Sequence, residues 1–106
     1  MLEYAVLQIT TDRSYLRQAL EVLTKFEHII SNSDYTKSKS YYASVCWITS
    51  NVFERREYSR KLIASTTTID EKCIYHQTNA LMKLIGLQKV SEIKGKDINK
   101  IGETNV

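Results

Sequence analysis

Proline is absent from this sequence of 106 residues, and its three glycines, Gly86, Gly95 and Gly102, all lie late in the chain. A β-rich domain of this length needs many tight turns, which draw on glycine and proline. Because neither residue type occurs before position 86, the composition favours long helices with few connections. We therefore predict an all-α fold, a small bundle of three or four helices with a C-terminal helical hairpin.

Cysteine and long apolar runs are also scarce. The two cysteines, Cys46 and Cys73, do not make a disulfide framework, so a reducing cytoplasm is the expected compartment. No apolar run approaches the length of a membrane span, and the N-terminus lacks the basic-then-apolar layout of a signal peptide. We therefore expect a cytoplasmic protein without a membrane partner.

The charge balance is mildly basic. Lysine and arginine outnumber aspartate and glutamate by 15 to 12, which gives a formal net charge of +3. That value is well below the strongly basic character of a dedicated duplex-DNA-binding domain. The apolar fraction of 42% suffices for one hydrophobic core. We predict one helical domain over residues 1–94 and a loosely ordered tail over 95–106, where apolar residues become sparse.

The first ten residues, MLEYAVLQIT, fit two patterns. Apolar residues recur at helical steps, whereas the alternation of Tyr4, Val6 and Gln8 suits a strand. A strand would need a partner, and the chain offers no convincing second one. A short helix or an extended arm is therefore the prediction for this segment.

Residues 12–31 form the clearest amphipathic segment and are predicted to be helical. Thr11 or Asp12 can cap its start, because a side-chain oxygen there accepts the free N–H groups of the first turn. Apolar residues recur at steps of three and four on one side. The predicted core residues are Leu16, Ala19, Leu20, Leu23, Phe26 and Ile30.

Two helices are predicted in the second half of the chain, over residues 41–64 and 69–85. They pair as the hairpin on which residues 12–31 pack. Helical spacing defines the core side of each helix. The predicted core residues of the first are Val45, Ile48, Val52 and Ile63. Those of the second are Ile69, Cys73, Ala80, Leu81, Leu84 and Ile85.

Both ends of the last helix carry a sequence signal. Thr68 and Glu71 match the T-x-x-E capping box, which predicts a helix that begins at Ile69. Gly86 suits the left-handed position after the last turn, with Leu87 folding back onto the helix. A short fourth helix is expected after Leu87.

Side chains that could carry chemistry are few. Cys73 and His76 lie three residues apart and could share a metal, with His28 or Cys46 as further ligands. Zinc sites normally show two ligand pairs at defined spacings, and only this one pair is present. The sequence contains no glycine-rich phosphate loop and no G-x-S-x-G or H-E-x-x-H motif. We predict no metal, no cofactor and no enzymatic activity.

The first helix of the hairpin is apolar on more than one side. On a helical wheel Trp47 falls nearly opposite Val45 and Val52, and Tyr42 and Phe53 fill a flank. Such a helix is either central in its bundle or shared with a partner. The leading functional hypothesis is therefore a self-associating protein-interaction module, a homo-oligomer that also binds an unidentified protein. Its predicted interaction surface is Tyr42, Trp47 and Phe53.

The general layout, a small low-proline helical chain with a capped final hairpin, is similar to that of many accessory proteins of bacteriophages. The similarity implies an inhibitor or adaptor in a phage or mobile-element setting. It assigns no residue roles.

The segment FERREYSRKLIAS, residues 53–65, is the densest charge in the chain. One interpretation is a solvated helix end with a Glu57–Lys61 ion pair. The alternative functional hypothesis is a nucleic-acid or nucleotide-binding accessory protein, in which this segment contacts phosphate. The candidate contacts for an acidic partner or phosphate are Arg55, Arg56, Tyr58, Arg60 and Lys61.

Overall fold

The computed structural model describes residues 2–30 and 38–95. Within these ranges the chain forms five α-helices and no β-strand, which confirms the predicted all-α fold. The helices are α1 (Leu2–Ile9), α2 (Arg13–Ile30), α3 (Lys39–Val52), α4 (Arg60–Thr67) and α5 (Glu71–Leu84), followed by a 3-10 helix at Val90–Ile93. The predicted tail lies outside the described residues, apart from Gly95.

Residues 2–9, in the segment predicted as a short helix or an extended arm, form a helix. Leu2, Ala5 and Val6 recur at helical spacing, and all three are buried on the inner side of α1. The next helix, α2, is capped by Asp12, whose Oδ1 accepts the N–H of Ser14 at 2.9 Å. One of the two caps proposed from the sequence is therefore confirmed.

The α3 helix lies at the centre of the bundle and contacts every other helix of the described chain. Nine of its 14 residues are buried, so its second apolar side is covered from within the chain. The buried hydroxyls of Ser44 and Thr49 each donate at 2.7 Å to a backbone carbonyl one turn earlier, which satisfies them inside the core. The predicted core residues Val45, Ile48, Val52 and Ile63 are all buried.

The predicted single helix over residues 41–64 is wrong. The α3 helix ends at Val52, and residues 53–59 form a loop before α4 begins. Ser59 caps α4, because its Oγ accepts the N–H of Leu62 at 3.1 Å. The first arm of the predicted hairpin therefore consists of two helices.

The α3 helix ends at a stop that contains no glycine. Glu54 has a φ of 53°, the left-handed conformation that glycine usually supplies after a last helical turn. The Arg55 N–H donates to the Ser50 carbonyl at 2.8 Å, and the Glu54 N–H donates to the Asn51 carbonyl at 3.3 Å. These are the two hydrogen bonds of a Schellman motif. Because a glutamate occupies the glycine position, the sequence pattern gives no sign of this helix end.

The predicted capping box at the start of the last helix is also wrong. Thr68 ends α4 in a left-handed conformation, with a φ of 57°. Asp70 is the cap of α5, and its Oδ1 accepts the N–H of Lys72 at 2.9 Å. The helix therefore begins at Glu71 instead of Ile69.

The predicted core face of α2 is largely confirmed, whereas that of α5 is rotated. On α2, Ala19, Phe26 and Ile30 are buried as predicted, and Leu20 is 38% exposed. On α5 the predicted core residues Cys73, Ala80 and Leu84 are exposed, whereas Leu81 and Ile85 are buried as predicted. Apolar residues occupy more than one side of α5, so spacing alone does not select its buried side. The buried residues of α5 are Ile74, Thr78, Leu81 and Met82.

The end of α5 is a Schellman motif, as its sequence predicts. Gly86 has a φ of 79°. The Leu87 N–H donates to the Met82 carbonyl at 2.9 Å, and the Gly86 N–H donates to the Lys83 carbonyl at 3.1 Å. The 3-10 helix that follows is the short helix expected after Leu87.

Replacing Gly86 tests this helix stop. Gly86→Ala is expected to lower the free energy of unfolding by about 1 kcal/mol, because alanine is strained at a positive φ. The control Gln88→Ala changes an exposed side chain nearby and should stay within about 0.5 kcal/mol of the parent. Urea denaturation measures both variants. Identical midpoints for the two variants would show that Gly86 has no special role.

Candidate functional site

Arg55 connects the loop 53–59 to the start of α2. Its Nη2 donates to Asp12 Oδ2 at 2.5 Å, and its Nη1 donates to Gln18 Oε1 at 2.8 Å and Ser14 Oγ at 3.2 Å. Its Nε donates to Glu57 Oε2 at 3.2 Å. We call this set, Arg55 with Asp12, Ser14, Gln18 and Glu57, the Arg55 cluster. Four of its five guanidinium N–H groups donate within the chain, and the side chain is only 17% exposed. Arg55 therefore joins the loop to α2, and its predicted phosphate contact stays a prediction.

Two tyrosines pack beneath the Arg55 cluster. The rings of Tyr15 and Tyr58 have centroids 4.1 Å apart, and the Arg55 guanidinium carbon lies 5.6 Å and 5.3 Å from them. The Tyr15 hydroxyl donates to the Cys46 carbonyl at 2.8 Å, which ties α2 to α3. Burial raises the pKa of Tyr15, so the phenol stays protonated. Tyr58 is buried against Tyr15, and its role as a contact for an acidic partner or phosphate stays a prediction.

The carboxylate of Asp12 is held in its charged form. Hydrogen bonds from the Ser14 hydroxyl and then from Arg55 hold its pKa well below the usual range of an aspartate. The Tyr58 hydroxyl also donates to Asp12 Oδ2 at 3.3 Å. Asp12 therefore has two structural roles, as the cap of α2 and as the anion of the Arg55 cluster.

Arg60 lies in a separate environment. Its Nε donates to Glu71 Oε1 at 3.1 Å, which links the start of α4 to the start of α5. Its guanidinium carbon lies 5.8 Å from the centroid of the Trp47 ring and 5.1 Å from that of Tyr75. Arg60 thus bridges three helices, and it does not join Arg55 in one patch.

Arg56 and Lys61 remain available to a ligand. Both are exposed, and neither forms a hydrogen bond or ion pair with any residue in ranges 2–30 and 38–95. Arg56 lines a pocket of about 390 Å³ between the end of α3, the loop 53–59 and the turn after the 3-10 helix. We call it the Arg56 pocket, lined by Trp47, Asn51, Glu54, Arg56, Ser59, Ser91 and Lys94 among others. Lys61 does not line it.

Tyr42, Trp47 and Phe53 are each partly buried against the chain's own core. Tyr42 lines a small cavity beside α1, at the opposite end of α3 from Phe53. The Nε1 of Trp47 is buried and has no acceptor within the described residues. The structure does not bring these three residues together as one exposed face, and their role as an interaction surface stays a prediction.

A groove between α1 and the first half of α2 was not identified from the sequence. This α1–α2 groove has a volume of about 630 Å³, and its apolar walls are Val6, Leu7, Leu16 and Leu20. Leu7 is 61% exposed and Leu20 is 38% exposed, so apolar side chains remain open to water in this groove. Arg13 and Arg17 line the same groove and are exposed. Their spacing of four residues was the available signal in the sequence.

The predicted absence of a metal site stays a prediction. In the described part of the chain, no three His, Cys, Asp or Glu side chains cluster in a way that could hold an ion. Cys73 and His76 are exposed on α5. Burial raises the pKa of the Cys46 thiol to about 12, so it stays protonated at neutral pH. Across the two described ranges, no helix has the length and apolar character needed to cross a membrane.

No protein-family model, no curated protein and no solved structure matches this chain. No residue role is therefore carried over from another protein. The predicted lack of enzymatic activity and of cofactors stays a prediction. Two surface features of the described chain combine exposure with a specific chemistry, the α1–α2 groove and the Arg56 pocket.

Because Asp12 belongs to the Arg55 cluster, the free energy of unfolding should vary with pH in the acid range. The pKa of Asp12 is lowered in the folded chain, so below about pH 4 the unfolded chain binds more protons than the folded one. The contribution of the charged Asp12 to the free energy of unfolding is therefore complete at neutral pH, and it is lost as the pH falls below about 4. Asp12→Asn should flatten the curve of unfolding free energy against pH in this acid range. Glu21→Gln, at an exposed position on α2, is the control, and parallel curves for Asp12→Asn and the parent would contradict the assignment.

Neighbouring arginines should differ sharply in their effect on stability. Arg55→Gln is expected to lower the free energy of unfolding by more than about 1 kcal/mol, because it leaves polar partners of Arg55 unsatisfied. Arg56→Gln should change it by less than about 0.5 kcal/mol, because Arg56 is exposed and has no partner in the described ranges. Thermal and urea unfolding of the two variants check this. Equal losses would refute the distinct roles of the two arginines.

Proposed function

We propose that this chain is a protein-interaction module whose binding surface is the α1–α2 groove. The observation that carries the proposal is the exposure of Leu7 and Leu20, at 61% and 38%, in a groove that also contains Val6 and Leu16. Water contact with this much apolar side chain is unfavourable, and burial by a partner would remove it. Binding of the apolar face of an amphipathic helix in a hydrophobic groove is a recurring mode of protein recognition.

The charges beside the groove specify the chemistry of the partner. Arg13 and Arg17 line the groove, are exposed, and form no ion pair with any described residue. Arginine binds carboxylates through two parallel hydrogen bonds. The partner segment is therefore an amphipathic helix whose apolar face contacts Leu7 and Leu20 and whose flanking residues are aspartate or glutamate.

Charge also favours a different protein over a second copy of this chain. In a two-fold symmetric dimer the same patch faces itself. Such an interface would contain Arg13 and Arg17 of both copies, and Asp12, the carboxylate that lines the groove, is already bound to Arg55. Like charges in an interface oppose binding. A module of this kind acts by occupying a surface of its partner, as an inhibitor or adaptor does, and the predicted homo-oligomer stays a prediction.

Site-specific crosslinking tests the groove. A photo-crosslinking amino acid placed at position 7 should capture another protein from lysate of the cells that encode the chain. The same group at position 84, an exposed leucine of α5 outside the groove, is the control. Mass spectrometry should locate the position 7 crosslink in an acidic amphipathic helix. Equal capture from both positions, or crosslinks that stay within the chain or join two copies, would contradict the proposal.

The partner identified in this way then tests the charges. Arg13→Glu combined with Arg17→Glu should weaken its binding by at least about tenfold and reduce the salt dependence of its association rate. Lys72→Glu, at an exposed position of α5, is the matched control and should bind as the parent does. Circular dichroism confirms that both variants are folded. An unchanged affinity in the double variant would show that the two arginines do not select the partner.

A further inference from the structure

The Arg56 pocket is built by the return of the chain to the end of α3. The Asn51 carbonyl accepts the N–H of Glu54 at 3.3 Å and also the N–H of Gly95 at 3.1 Å. Gly95 has a φ of 69°, and a Cβ at this position would lie 3.1 Å from Glu54 Oε2. The second hydrogen bond therefore holds the turn after the 3-10 helix beside the loop 53–59. Lys94 and Arg56, far apart in sequence, consequently line one pocket.

The Arg56 pocket contains more positive than negative side chains, and the described part of the chain does not neutralise this excess. Arg56 and Lys94 are exposed, and neither has an ion-pair partner within ranges 2–30 and 38–95. Arg55 also lines the pocket, but its charge is compensated by Asp12 and Glu57. Glu54 is the opposing carboxylate on the pocket wall. Two available cations thus face one carboxylate.

Hydroxyl groups complete the set of donors. Ser59 and Ser91 line the pocket and are exposed. The Ser59 Oγ accepts a hydrogen bond from the backbone of α4, so its O–H is left to donate. The guanidinium of Arg56, the ammonium of Lys94 and two serine hydroxyls can together donate hydrogen bonds to an anion that has several acceptor oxygens.

We propose that the Arg56 pocket binds the phosphate group of a small phosphorylated ligand. Arg56 would bind two phosphate oxygens, Lys94 would supply a second positive charge, and the serine hydroxyls would donate to the remaining oxygens. The volume of about 390 Å³ falls in the range of small-molecule sites, with room for the phosphate and a small organic group. This site lies outside the α1–α2 groove, so it does not depend on the proposed protein interaction.

Trp47 provides the readout, because it is the one tryptophan of the chain and it lines the pocket. Its Nε1 is closed to solvent, so we assign it no ligand contact. The probes are inorganic phosphate and a nucleoside monophosphate, titrated at constant ionic strength. A saturable change in Trp47 fluorescence is expected, with isothermal titration calorimetry as a second measurement that does not require the indole to respond. The two probes distinguish free phosphate from a phosphate ester as the source of the group.

The sharpest test combines substitutions that should weaken phosphate binding with one that should strengthen it. Arg56→Gln and Lys94→Gln should each weaken phosphate binding on the order of tenfold, because each removes a charged hydrogen-bond donor. Glu54→Gln should strengthen it, because the opposing carboxylate is lost. Lys61→Gln is the matched control, an exposed cation of α4 outside the pocket, and should bind within about twofold of the parent. Urea unfolding of each variant confirms that it is folded.

Three results would overturn the proposal. The first is no saturable binding of either probe by fluorescence or calorimetry. The second is equal weakening by Lys61→Gln and Arg56→Gln, which would indicate a diffuse surface charge. The third is tighter binding of a short single-stranded oligonucleotide than of the monophosphate, with Arg56→Gln and Lys61→Gln equally affected. That result would indicate the nucleic-acid surface of the alternative hypothesis instead of a pocket.

Discussion

The hydrogen bonds of the Arg55 guanidinium hold the loop 53–59 to the start of α2, while its backbone N–H donates to the last turn of α3. The loop begins with Glu54 in a left-handed conformation that costs roughly 1–2 kcal/mol for a residue other than glycine. Such a conformation persists only where the surroundings stabilise it. The Arg55 cluster and the two tyrosines packed beneath it supply that stabilisation, and the position of α4 depends on them. The Arg56 pocket, which the loop helps to form, depends on the same interaction.

The basic side chains fall into two groups, those that join helices to one another and those that line a surface pocket or groove. Arg55 and Arg60 are bonded to carboxylates of the chain and lie against aromatic rings, so they join helices to one another. Arg56 and Lys94 lie in one pocket, whereas a second pair of arginines lines the α1–α2 groove on α2. The chain therefore offers two separate basic surfaces of different character. One is polar and has the size of a small ligand, and the other is largely apolar and suits a helix.

Several parts of the fold follow from patterns that are local in sequence. The caps at Asp12 and Gly86 were predicted because a helix end needs hydrogen-bond partners within a few residues, and these two residues supply them. The stop at Glu54 was missed, and Thr68 was assigned to the wrong helix end, because both residues adopt left-handed conformations that their side chains disfavour. Of the proposed phosphate contacts, Arg56 alone lines the pocket as an available cation. The positive charge of the segment 53–65 was visible in the sequence, but the separate environments of its arginines were not.

The sequence by itself determined the helical class of this protein, the approximate positions of α2 and α5, and the helix ends at Asp12 and Gly86. The absence of proline and the late glycines suffice for the class, because they leave the early chain without residues suited to tight turns. Tertiary structure decided which side of α5 is buried, which arginines are free and where apolar side chains remain exposed. These properties depend on contacts between residues far apart in the chain. Arg55 and Asp12, separated by 43 residues, neutralise each other because the folded helices bring their charges together.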